Sequence, residues 1–141
     1  MSTNDITGIW QLLFCDTEFK ETGKRVALLG PDPIGYLMLT PSGRMMVVLS
    51  ANEMEAPAND AARASAFRNT VAYTGQYRVE NNRWVTDVEV SWHPAWKDTT
   101  QIRNFNIQGD QLFVATDWAP SITFSGQIVR SHLGFKKHDD I

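Results

Sequence analysis

The chain has little of what usually discloses a function. It holds one cysteine, Cys15, so it cannot form a disulfide within itself and fits a reducing compartment. No run approaches the ~20 apolar residues of a spanning helix, so membrane insertion is not expected. The opening Met1-Ser2-Thr3-Asn4-Asp5 is polar and has no apolar signal core. A cytoplasmic protein is the expectation. Net charge is only −3, with acids and bases mixed and no basic stripe, which argues against nucleic acid as a partner. A glycine-rich phosphate loop, a Gly-x-Ser-x-Gly elbow and a Cys-x-x-Cys pair are all missing. Nucleotide-dependent chemistry, serine hydrolysis and dithiol redox chemistry therefore have no support. The three histidines are scattered without ligand spacing, so neither a metal nor a cofactor is expected.

Aromatic residues are plentiful: five Trp, seven Phe and three Tyr. They favour strands and also line small-molecule cavities. At 141 residues the expectation is one domain spanning 1–141, its core at about 7–133, large enough to fold without a staple. Residues 1–6 read as a frayed start, and the charged tail from Lys136 as disordered. Between them run short β-patterned segments: 8–15, 36–40, 44–50, 71–79, 84–92, 100–107, 111–116 and 122–130. The segment 36–50, with Pro41-Ser42-Gly43 at its turn, is the clearest hairpin. Residues 51–69 are alanine-rich, with Asn59 or Asp60 as a cap, and predict one helix over 60–69. Hairpin spacing without a βαβ rhythm predicts an all-β fold. It is a single antiparallel eight-stranded barrel with one short helix between strands 3 and 4.

Several segments carry a likeness to a known family. They are Gly8-Ile9-Trp10, Leu29-Gly30-Pro31-Asp32-Pro33-Ile34-Gly35-Tyr36-Leu37, Thr40-Pro41-Ser42-Gly43-Arg44-Met45 and Tyr73-Thr74-Gly75-Gln76-Tyr77. Further on come Val88-Glu89-Val90-Ser91, Pro94-Ala95-Trp96 and Gln101-Ile102-Arg103. In this order the chain resembles the lipocalin-like domain family of small stand-alone bacterial and fungal proteins. The resemblance implies a lipocalin-like, calycin-type β-barrel. Folds of this type generally bind apolar small molecules, and some relatives from biosynthetic pathways are cofactor-free isomerases or cyclases. Trp10 is then expected to plug the closed end.

Strand alternation places the chemistry-bearing residues. On 84–92, Thr86, Val88, Val90 and Trp92 share one face, and Asp87, Glu89 and Ser91 the other. On 100–107, Gln101, Arg103, Phe105 and Ile107 form the more apolar face, which takes Arg103 inward. Pairing about a 94–99 loop would set Glu89 opposite Arg103, either as a cross-strand ion pair on the surface or inside a cavity, where the arginine would hold the carboxylate ionised. His93, at a strand end, is the natural acid–base group, and Asp117 in a turn is a candidate base. Glu89, His93, Arg103 and Asp117 are thus the candidate catalytic or orienting residues. Tyr36, Met38, Tyr73, Phe105 and Trp118 are the candidate ligand walls.

The expected function is a barrel binding one apolar or aromatic small molecule. The alternative is a cofactor-free isomerase or cyclase, with Glu89, His93 or Asp117 moving a proton and Arg103 stabilising an enolate. A third expectation is a partner-binding barrel or homodimer joined through exposed Trp92 and Trp96.

Overall fold

The computed structural model describes residues 5–121 and 123–138. In chain order its elements are β1 (Gly8–Phe19), β2 (Arg25–Ala27), β3 (Ile34–Leu39), β4 (Arg44–Ser50), α1 (Asp60–Arg68) and β5 (Thr70–Glu80). They continue with β6 (Arg83–Ser91), β7 (Thr100–Gln108), β8 (Gln111–Ala115), β9 (Ala119–Pro120) and β10 (Ile128–Lys137). All pairings are antiparallel, in the order β1-β3-β4-β5-β6-β7-β8-β10, and β10 pairs back onto β1. That return closes an eight-stranded barrel and removes its open edges. The short β2 and β9 only extend β1 and β10.

The expected eight-stranded barrel is therefore present, with differences of detail. The helix stands between β4 and β5, because Arg25–Ala27 adds a strand that was expected to be part of a connection. The final strand begins at Ile128 and continues through Lys137, where a tail was expected. Its pairing with β1 from Trp10 to Phe19 holds it there. Residues 1–4, Ile122 and 139–141 lie outside the described residues. The first expected strand position of 122–130 and parts of both expected frayed ends fall on them.

Alternation decides what points inward. On β3 and β4, Leu37, Leu39, Met45, Val47 and Leu49 are buried, and Tyr36, Met38, Met46 and Val48 are exposed. A register shift between Leu12 and Phe14 puts Leu12 and Cys15 both inside. Gly134 permits it, since a Cβ there would overlap the Phe14 ring. Burying each such aliphatic side chain contributes ~1.5–3 kcal/mol.

One half of the barrel is filled. Trp10, Leu37, Leu39, Met45 and Leu112 meet there, all at 2% exposure or less. The Trp10 indole N–H donates to the carbonyl of Ile6 at 2.9 Å, which gives the buried ring its polar partner. Trp10 thus closes this end as expected. At the other end stands α1, capped by Asn59, whose side chain accepts from the Ala62 N–H at 2.8 Å. None of its residues is buried, so it covers a rim instead of forming core.

Candidate functional site

Above the filled half lies a cavity of about 540 Å³. β1, β4, β5, β6, β7, β8 and β10 supply its walls, and three segments frame its mouth. These are the end of α1 with Phe67, the turn around Pro94–Trp96, and the stretch that brings Thr116, Asp117, Ser121 and Phe124 to the cavity. Pro94 follows His93, and the ring fixes φ, which starts a single 3₁₀ turn. The His93 Nδ1 accepts from the Ala95 N–H at 3.2 Å and caps that turn.

This turn throws two tryptophans over the opening. Trp92 and Trp96 rings lie 5.4 Å apart, and Trp96 meets Tyr73 edge-on at 5.2 Å. Phe67 lies 6.1 Å from Trp92, and the Trp92 indole N–H donates to the Phe67 carbonyl at 3.2 Å. An aromatic row thus runs from α1 down to Tyr73. Trp84 adds a wall on β6, its indole N–H bound to the Thr86 hydroxyl at 2.8 Å.

Arg103 is the one arginine of the buried interior, at 9% exposure. Its Nη1 donates to the Ile102 carbonyl at 3.0 Å and to Gln101 at 3.4 Å. Its Nη2 donates to the Tyr73 hydroxyl at 3.3 Å, and the guanidinium lies 5.7 Å from the Trp96 ring centre. Every one of these partners is neutral. Among the described residues no carboxylate lies within ion-pair distance of Arg103.

Cys15 also lines the cavity. Burial pushes its thiol up to about 12, the neighbouring Asp16 charge pushes the same way, and Arg103 pulls it back in part. It is a neutral wall at ordinary pH, not a nucleophile.

The sequence-based candidates divide accordingly. Tyr73, His93, Arg103 and Asp117 line the cavity. Asp117 sits exposed at its lip, where Arg83 donates to one oxygen at 2.9 Å and Asn104 to the other at 3.0 Å. Glu89 does not join them. It lies on the outer surface and pairs with Arg44 at 2.8 Å. Arg103 stands opposite Trp84 instead of Glu89. Alternation explains the outward glutamate, because Trp84, Thr86 and Val88 take the inner face of β6 and leave Asp87 and Glu89 outside.

Tyr36 and Met38 also face outward, at 47% and 37% exposure, since Leu37 and Leu39 take the inner face of β3. Phe105 is buried but packs in the core and does not line this cavity. Trp118 lies outside it too, under the Arg130 guanidinium at 4.4 Å. Trp92 and Trp96, expected on an exposed interface, are half-buried cavity walls. Trp84 was missed as a wall; its signal was its place two residues before Thr86 on the inward face.

Among the described residues no three of His, Cys, Asp and Glu converge as a metal site. No helix among them is long and apolar enough to cross a membrane.

The family model described as a lipocalin-like domain matches residues 7–138. Among curated proteins, the chain is similar to one from Aspergillus oryzae named 4'-hydroxy-3'-methoxypropiophenone carrier protein ppsC. The two are 37% identical over 82 residues, covering 52% of this chain and 72% of the relative.

Proposed function

Because this chain belongs to the lipocalin-like domain family, we propose that its barrel carries one apolar or aromatic small molecule. The observation that carries this reading is the half-filled barrel. One end is packed solid, and the other keeps about 540 Å³ behind a row of aromatic rings. That volume lies within the ~300–1,000 Å³ of small-molecule sites. Tyr73, Trp84, Trp92 and Trp96 form the walls, and Arg103 with the Tyr73 hydroxyl orients a polar group of the ligand. The Aspergillus oryzae relative supports the same class, since the molecule in its name is an aromatic ketone.

The geometry favours binding over turnover. Glu89 is outside the cavity, both oxygens of Asp117 are engaged, and Nδ1 of His93 is used as a cap. An isomerase or cyclase needs an unengaged base beside the reacting carbon, and a His93 ring that accepts at Nδ1 carries its proton on Nε2, which makes that nitrogen a donor.

The test is a fluorescence titration with N-phenyl-1-naphthylamine, a neutral aromatic probe. Saturable one-to-one binding that quenches tryptophan emission is expected, and it should fail in a Val114→Trp variant that fills the cavity wall. Probe binding that is non-saturable, or unaltered by the filled cavity, contradicts the proposal.

A further inference from the structure

The cavity treats its two kinds of polar ligand unequally. A carbonyl or hydroxyl would gain only hydrogen bonds at Arg103, whereas an anionic oxygen would also gain the unbalanced charge. We propose that the preferred ligand is an aromatic molecule bearing an oxyanion, a carboxylate or phenolate, which docks on Arg103 and Tyr73. This rests on the binding reading above.

Four observations carry it. Arg103 is nine-tenths buried and faces no carboxylate among the described residues. Buried charge without a counter-charge is costly, so such sites are ordinarily paired. Two of its three hydrogen bonds are long, at 3.3 and 3.4 Å, and none uses Nε. No sealed side-chain nitrogen or oxygen among the described residues lacks a partner, so the free Nε–H of Arg103, a residue that lines the cavity, is not sealed in protein. It forms, with Nη2, the forked pair of donors that grips two oxygens of a carboxylate.

Tyr73 accepts from Arg103 and donates to no group among the described residues, so its own O–H is left for the ligand. The other charges around the cavity agree. Arg68 lines it without an ion-pair partner among the described residues, and Cys15 is held neutral. Asp117, the one carboxylate that lines it, is already engaged by Arg83. Trp96, whose ring faces the guanidinium, and Trp84 supply aromatic faces beside the charge. A ring next to an oxyanion fills both halves of this surface at once.

The experiment compares 1-anilinonaphthalene-8-sulfonate with N-phenyl-1-naphthylamine, the same skeleton without its sulfonate. Wild-type protein is expected to bind the anion at least ~10-fold more tightly. Arg103→Met should abolish that preference, the anion losing at least ~10-fold more affinity than the neutral probe, while Arg103→Lys should keep part of it. Should Arg103→Met not fold, competition on wild-type protein decides. 1-Naphthoate is then expected to displace the neutral probe at ~10-fold lower concentration than methyl 1-naphthoate. Equal binding of acid and ester, or an anion preference that survives Arg103→Met, overturns the inference and leaves the carrier reading standing. Absence of any wild-type binding by both probes overturns the two together.

Discussion

Two leucines of equal burial separate the filled half of the barrel from the open half. Leu112 is 0% exposed and sits away from the cavity, and Leu49 is 2% exposed and lines it. Each Leu→Ala change removes three carbons from the interior, a transfer loss of ~2.4 kcal/mol at ~0.8 kcal/mol per carbon. At Leu112 the vacated space has nowhere to drain. About 50 Å³ left unrelaxed adds ~1 kcal/mol at ~24 cal/mol per Å³. Leu112→Ala is therefore expected to cost ~3.5 kcal/mol, and Tm to fall by ~10 °C at ~3 °C per kcal/mol for a chain of this size.

At Leu49 the space joins a cavity that already exists, so the second contribution vanishes and the cost is ~2 kcal/mol. Binding should show the opposite order. Leu49→Ala loses wall contacts and weakens N-phenyl-1-naphthylamine by ~3- to 10-fold, up to ~1.4 kcal/mol. Leu112→Ala leaves it unchanged within ~2-fold. Calorimetric melting and probe titration on the same samples read both quantities. If Leu112→Ala weakens the probe as much as Leu49→Ala does, the barrel is not divided in this way.

Three further outcomes are expected. Glu18 is held below the ordinary carboxylate range by hydrogen bonds from His132 and then Arg130. Its stabilisation is full above the unfolded value of ~4.3 and is lost as pH falls through the lower folded value. Glu18→Gln should therefore be less stable than wild type above pH ~5 and converge with it on acidification; urea midpoints across pH check this, and parallel curves refute it. The Cys15 thiol, raised to about 12, should resist Ellman's reagent at pH 8 in native protein and react in full once unfolded. Gly75→Ala should cost about 2 kcal/mol or more, because its Cβ would overlap the Asp87 carbonyl, backbone that cannot step aside. An unchanged urea midpoint for this variant contradicts that account.

The sequence made some of this legible for physical reasons. The hairpin at Pro41-Ser42-Gly43 and the helix at Asp60–Arg68 lie where turn and cap chemistry place them. The inward direction of Arg103 follows from its sharing a face with Phe105, and both are buried. Alternation fails where both faces are apolar, as on β3, where Tyr36-Leu37-Met38-Leu39 offers no contrast. It fails again past the bulge at Thr74/Gly75, which reverses the sides and turns Val90 outward although Thr86 and Val88 on the same expected face are buried. The register of β6 on β7 differs from the expected one because Asp87 pairs with Thr100 and Val88 bonds Asp98 and Thr99, so the connection opens at residue 89 and not at 94. Residue 103 consequently meets residue 84, and the charge expected to face it is absent. Trp92 packs against Phe67 of α1 and Trp96 against Tyr73 and Trp92, and nothing local to the 92–96 segment records those long-range contacts.

The most direct test of the carrier account is a crystal structure of the protein with N-phenyl-1-naphthylamine. The probe is expected between Trp84, Trp96 and Tyr73, above the packed floor made by Trp10 and Leu112. Probe density on the outer apolar face of Tyr36, Met38, Met46 and Val48, with the barrel free of it, would contradict the account.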